Sequence, residues 1–195
     1  MRRFVFALMG AICAICQLSG VAAARDADPF SSFFNPSPTP PAEGRPQASA
    51  IPRELVSYQG RFPAGTIIIS TTERRLYYVL GNGEAIRYGV GVGRPGFEWS
   101  GSRYIASKRE WPDWTPPAQM IRRRPDLPRH MEGGIKNPLG ARAMYLSGTL
   151  YRIHGSNEPE SIGQAVSSGC IRMTNDDVVD LYDRVRIGTR VVVER

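Results

Sequence analysis

The chain has 195 residues, a formal net charge of +7, two histidines and three cysteines. That length suits one domain with extensions. The basic balance steers acidic partners toward the surface, but no nucleic-acid-binding motif accompanies it.

Residues 1–24 have the pattern of a secretory signal. Arg2 and Arg3 form a positive start, Phe4 to Cys16 is an apolar run, and Ala22-Ala23-Ala24 is a small-residue cleavage site that leaves Arg25 first. The run is short for a membrane span, although an uncleaved anchor is the alternative. Leu18-Ser19-Gly20 is followed by Val21 where a lipidated cysteine would have to stand. Cleavage removes Arg2 and Arg3, leaving 23 basic and 18 acidic side chains, a charge of +5. It also removes Cys13 and Cys16, so the exported chain keeps the single thiol of Cys170 and no internal disulfide. Residues 25–50, with PSPTPP at Pro36 to Pro41, are too rich in Pro, Ser and Ala to bury a core and read as a disordered tether.

From Ile51 the composition turns globular, and residues 51–195 read as one folded domain. Thr66 to Ser70 is a β-branched run. Arg75 to Leu80 and Ala85 to Val92 flank the turn Gly81-Asn82-Gly83, a hairpin signal. Tyr104 to Lys108 is a further strand. Trp111 to Pro128 reads as a long loop. Trp111 and Trp114 there are either platforms on a substrate groove or covers for the core edge. Gly89-Val90-Gly91-Val92-Gly93 lacks the following helix and Lys-Ser/Thr of a nucleotide loop. Ala143 to Ser147 and Leu150 to Ile153 read as short strands around Gly148-Thr149, and Ser161 to Val166 as one helical turn. Thr174 to Val185 is a helix, capped by Thr174 with Asp177 three residues on and lined on one face by Val178, Leu181, Tyr182 and Val185. Gly188 breaks the chain before a last strand, Thr189 to Glu194. The sum is mainly β with one or two short helices.

The chemistry concentrates in Arg152 to Met173, RIHGSNEPESIGQAVSSGCIRM, where His154 precedes Cys170 by sixteen positions. His154 falls at a strand end and Cys170 on a Gly-rich turn, a geometry that brings distant side chains together. An imidazole can take the proton of a thiol and leave a thiolate nucleophile. The successive N–H groups of Ser168, Gly169 and Cys170 can stabilise an oxyanion, Gly169 permitting the tight turn. The competing reading is a buried thiol and an ordinary histidine. Arg172 abuts the thiol and either binds a substrate carboxylate or braces the loop.

His154-Gly155 followed by Ser167-Ser168-Gly169-Cys170-Ile171-Arg172-Met173 resembles the signature of the L,D-transpeptidase (YkuD-like) catalytic domain. The likeness extends back through Asn137-Pro138-Leu139-Gly140 and covers about residues 60 to 195. It implies a mixed β-sandwich and a cysteine acyltransferase acting on peptidoglycan stem peptides. It further implies Cys170 as nucleophile, His154 as general base, and Gly155 as the residue whose carbonyl orients the imidazole. Many members carry a second histidine where Ser168 stands. By this resemblance Cys170 attacks the L-centre of diaminopimelate in a tetrapeptide stem and releases D-alanine. An amine of a second stem or of a wall-anchored protein then resolves the thioester, while water as acceptor gives an L,D-carboxypeptidase.

Neither a cofactor nor a metal is expected, because His130 and His154 lack a zinc spacing and one thiol remains after cleavage. The rivals are a cell-wall cysteine peptidase, which usually places Cys before His, and a catalytically silent wall-binding module. Export would place the protein in the periplasm or at the cell wall.

Overall fold

A computed structural model describes residues 51–195. The signal and tether expected over residues 1–50 lie outside the described residues. The strands are β1 (Glu54–Ser57), β2 (Ile67–Ser70), β3 (Arg75–Gly81), β4 (Glu84–Gly89), β5 (Val92–Gly93), β6 (Gly101–Glu110), β7 (Arg142–Leu146), β8 (Arg152–His154), β9 (Ala165–Ser167), β10 (Ile171–Arg172) and β11 (Arg190–Glu194). Two short helices join them, α1 (Ala118–Arg123) and α2 (Asn175–Arg184). Nine strands form one curled sheet in the order β1-β4-β3-β2-β11-β6-β7-β8-β10, and β5 pairs with β9 in a second ladder. The architecture is therefore mainly β, as the sequence leads one to expect.

Burial explains the strand patterns. β2 and β11 pair in parallel at the centre. Ile67, Ile68 and Ile69, like Val191, Val192 and Val193, are all buried, so both strands read as continuous apolar runs rather than alternating ones. The β3–β4 hairpin turns at Asn82 with φ 54° and Gly83 with φ 76°, the left-handed pair that an Asn-Gly turn supplies.

α2 lies on the core side of the sheet, where Val178, Leu181 and Val185 join Met144, Ile153 and Ile171 in one apolar cluster. Thr174 caps it, accepting the Asp177 N–H at 3.2 Å. The other half of the expected capping box is missing. The Asp177 carboxylate instead lies 3.8 Å from Arg53, and burial pushes its pKa up. At the other end Lys108 donates to the carbonyls of Tyr182 and Val185 at 2.5 and 2.7 Å, which satisfies groups a helix terminus leaves open.

Three segments differ from the sequence expectation. The loop over 111–128 contains α1, entered from Pro117, though none of its residues is buried. The turn expected over Ser161 to Val166 is displaced: a single 3₁₀ turn covers Pro159–Ser161 and Val166 belongs to β9. Tertiary pairing decides this, because β9 supplies the parallel partner of β5. The strands β1, β5 and β10 were not expected; the last two have two residues each, too short for periodicity to register. The Gly-rich run at 89–93 is a close-approach device. A Cβ on Gly91 would sit 2.7 Å from the Ser161 carbonyl oxygen, and one on Gly93 would collide with that of Phe97.

Candidate active site

Two adjacent parallel strands build the site. β8 and β10 pair with Ile153 opposite Ile171 and His154 opposite Arg172. Ile153 is fully buried and Ile171 is 1% exposed, both in the core. The alternate positions, Arg152 and His154 on one strand and Cys170 and Arg172 on the other, line a cleft of about 440 Å³. Strand alternation thus puts the apolar residues inward and four chemically active side chains on one outer face. The same register, continued one residue, sets Cys170 level with Arg152. A second cleft of similar volume, beside Arg74, Glu98 and Arg195, contains none of these groups.

His154 is 5% exposed. Its Nδ1 lies 2.5 Å from the Gly155 carbonyl oxygen. A carbonyl only accepts, so Nδ1 carries the hydrogen and Nε2 is left as the acceptor. Burial first, then the positive charge of Arg172, depresses the imidazole pKa to about 3, against which the Gly155 hydrogen bond acts. His154 is therefore neutral at physiological pH. Burial raises the Cys170 thiol above its ordinary value, opposed by the charge of Arg152, a backbone hydrogen bond at Arg152 and the charge of Arg172. The resting pair is thiol and imidazole rather than thiolate and imidazolium.

Gly155 is placed by tight packing. A Cβ there would collide with the Asn175 side-chain oxygen and come within 3.1 Å of Val178. That oxygen also accepts the Ala141 N–H at 2.9 Å, so Asn175 ties the start of α2 to the entry of β7.

The cysteine turn is held from both sides. Ser167 donates its hydroxyl to the Cys170 carbonyl at 2.6 Å and accepts the Gly169 N–H at 3.1 Å. The Gly169 N–H is thereby occupied, so of the three donors considered for an oxyanion, Ser168 and Cys170 remain. Gly169 has φ 103°, and a Cβ there would strike the Tyr151 ring. Tyr151 stacks on Trp99 with centroids 5.0 Å apart, and the Trp99 indole N–H donates to the Gly169 carbonyl at 2.8 Å. Ser168 lines the cleft.

Of the two tryptophans singled out in the sequence, Trp114 lines the cleft and Trp111 does not. Asn137 anchors their loop by donating to the carbonyls of Pro112, Met131 and Glu132 at 3.1, 3.2 and 2.9 Å. Arg172 forms a 2.7 Å ion pair with Glu158. Sequence reading missed Arg152, Trp99, Tyr151, Glu158 and Asn175. Arg152 was legible as the residue two before His154 on a strand; the others reach the site through tertiary contacts. His130 is exposed, far from a ligand set, and no group of three or more His, Cys, Asp or Glu side chains among the described residues is placed to hold a metal ion.

A buried imidazole with a fixed tautomer thus shares a cleft with Cys170, the one thiol among the described residues. A sequence model of the L,D-transpeptidase catalytic domain matches residues 64–193, and the chain belongs to that family. The probable L,D-transpeptidase ErfK/SrfK of Escherichia coli (strain K12) is 38% identical over 136 residues, which cover 65% of this chain and 43% of that protein. The chain thus spans less than half the length of that relative. A solved chain from Brucella melitensis, described as a probable carnitine operon oxidoreductase, is 44% identical with a TM-score of 0.50 and covers 75% of this chain and 96% of its own. The catalytic domain of the E. faecium L,D-transpeptidase, solved as its ertapenem acyl-enzyme, shares the fold with a TM-score of 0.53 at 20% identity, covering 69% of this chain and all of that one.

Proposed function

We propose that the protein is an exported L,D-transpeptidase that acylates Cys170 with a peptidoglycan tetrapeptide stem and passes the acyl group to an amine. The observation that carries this is the His154 tautomer, fixed by the Gly155 carbonyl so that Nε2 is the basic nitrogen on the thiol's own cleft face. In acylation, Nε2 takes the Cys170 proton as Sγ bonds to the carbonyl carbon at the L-centre of diaminopimelate. The oxygen gains the charge, and the N–H groups of Ser168 and Cys170 receive it. The C–N bond then breaks, His154 returns its proton to the departing amine, and D-alanine leaves a thioester behind.

In the second half an acceptor amine attacks the thioester, loses a proton to His154, and breaks the C–S bond. The Cys170 thiolate takes that proton back. A second stem peptide yields a crosslink, and a wall-anchored protein yields a protein–wall bond. Water in the same place yields carboxypeptidase trimming. Arg172, held by Glu158, braces the cysteine strand and maintains positive potential beside the thiol. The signal pattern at residues 1–24 supports export to the periplasm or cell wall. No cofactor takes part in this scheme. The E. faecium neighbour acylated by ertapenem offers a parallel for acyl chemistry at Cys170.

Purified tetrapeptide muropeptides incubated with the protein and analysed by mass spectrometry test the reading. Crosslinked products from the wild type, absent with Cys170→Ala, are expected. A tripeptide product alone indicates trimming. Unchanged muropeptides, with an alkylatable Cys170, refute the acyltransferase.

A further inference from the structure

We infer that Arg152 is the carboxylate receptor of this cleft, holding the terminal carboxylate of the amino acid that leaves when the stem peptide acylates Cys170. The inference rests on the acyltransferase reading above and names the residue that selects its donor.

Three arginines line the cleft, and their partners differ. Arg172 is already paired with Glu158 at 2.7 Å. Arg123 is exposed on α1, its guanidinium 5.8 Å from the Phe97 ring. Arg152 has no ion pair with an acidic side chain among the described residues. Its guanidinium lies 5.3 Å from the Tyr145 ring, and one terminal nitrogen donates to the Leu150 carbonyl at 3.3 Å. Its Nε is buried and has no hydrogen-bond partner. A buried N–H left without a partner is costly unless an acceptor arrives. A carboxylate is the acceptor whose geometry fits that planar fork.

Register selects which carboxylate. Arg152 is level with Cys170 across the β8–β10 pairing, so the anion it holds belongs close to the reacting carbonyl. One residue step is about 3.8 Å between Cα atoms. The leaving D-alanine carries its carboxylate on the Cα next to the bond that breaks. A pentapeptide would carry that group one residue further out, so Arg152 also selects the length of the donor. The cation moreover remains beside the thiol after D-alanine departs.

The test separates this role from the chemistry by measuring binding in a Cys170→Ala background. Titration calorimetry compares three ligands: the tetrapeptide stem with a free C-terminus, the same peptide as its C-terminal carboxamide, and one amidated instead on the diaminopimelate side-chain carboxylate. The free acid should bind roughly ten- to a hundredfold more tightly than the carboxamide, the scale of a charged hydrogen bond. Arg152→Gln should erase that ratio, Arg152→Lys should keep part of it, and Arg172→Gln should leave it in place. The inference is overturned if the background protein does not discriminate, if Arg152→Gln weakens acid and carboxamide equally, or if side-chain amidation abolishes binding instead. The first and third outcomes need no change at Arg152, so they stand even where that variant fails to fold. Carboxylate-dependent binding without turnover by the wild type would sink the acyltransferase reading and leave Arg152 as the receptor.

Discussion

Trp99 donates its indole N–H to the Gly169 carbonyl at 2.8 Å, across seventy positions of sequence. The bond fixes the residue before Cys170, and the Tyr151 ring stacked on Trp99 fills the space that a Gly169 side chain would need. Trp99→Phe keeps an aromatic ring for Tyr151 and removes the hydrogen bond. The expected result is a fall in the rate of thioester formation of about ten- to a hundredfold, the scale of a misplaced reacting group, with little change in Tm. Rapid-quench mass spectrometry measures it. Normal thioester formation would show that the cysteine turn holds its geometry without this bond.

Gly155 offers a second positional test. Gly155→Ala should lower Tm and nearly abolish acylation together, because the methyl group meets the Asn175 oxygen and Val178 and displaces the carbonyl that orients His154. Asn175→Ala removes the acceptor of the Ala141 N–H; relieving the clash, it should restore part of the activity when combined with Gly155→Ala. Kinetics of the two single variants and the double variant read the coupling. Strictly additive losses would exclude the shared contact as the cause.

The proposed catalytic pair was legible in the sequence because its signals are local: an HG dipeptide at a strand end and a thiol in a glycine turn. The central strands were legible because β2 and β11 are unbroken apolar runs, and α2 because its cap and its apolar period both lie within twelve residues. What escaped depends on distant partners. β5 and β9 exist because each completes the other's ladder, and nothing local in Val92-Gly93 records that. Trp99 enters the site from before β6, and Glu158 matters through its ion pair with Arg172. Arg172 illustrates the limit: its place beside Cys170 left binding and bracing open, and the 2.7 Å contact with Glu158 supports bracing.

Stability should depend on His154 in acid. Its folded pKa of about 3 lies below the ordinary 6.5, so between those values the unfolded chain binds the extra proton. The stabilisation is full above pH 6.5 and is lost as pH falls toward 3, by about 1.4 kcal/mol per pH unit at most. His154→Gln, with an amide that can still donate to the Gly155 carbonyl, should flatten this dependence. Urea melts of the two proteins from pH 7.5 to 4.5 give the comparison. Parallel losses of stability would mean that His154 is protonated in the folded protein in this range.

Thiol reactivity carries the opposite pH signature. Burial raises the Cys170 pKa above 9.0 despite the two nearby arginines, and His154 is neutral, so no thiolate–imidazolium pair forms at rest. Alkylation by iodoacetamide, which requires thiolate, should therefore climb continuously from pH 6 to 9 and show no plateau near neutrality. Turnover should differ, because with substrate bound His154 removes the proton as the carbonyl is attacked. His154→Gln should consequently slow acylation about a hundredfold or more, the scale of a lost general base, while shifting the alkylation profile little. Intact mass follows both reactions, and the sequence left after the expected signal contains Cys170 as its one thiol, so a single adduct is counted. An alkylation plateau at neutral pH that disappears in His154→Gln would instead establish a resting ion pair and reverse the order of the first proton transfer.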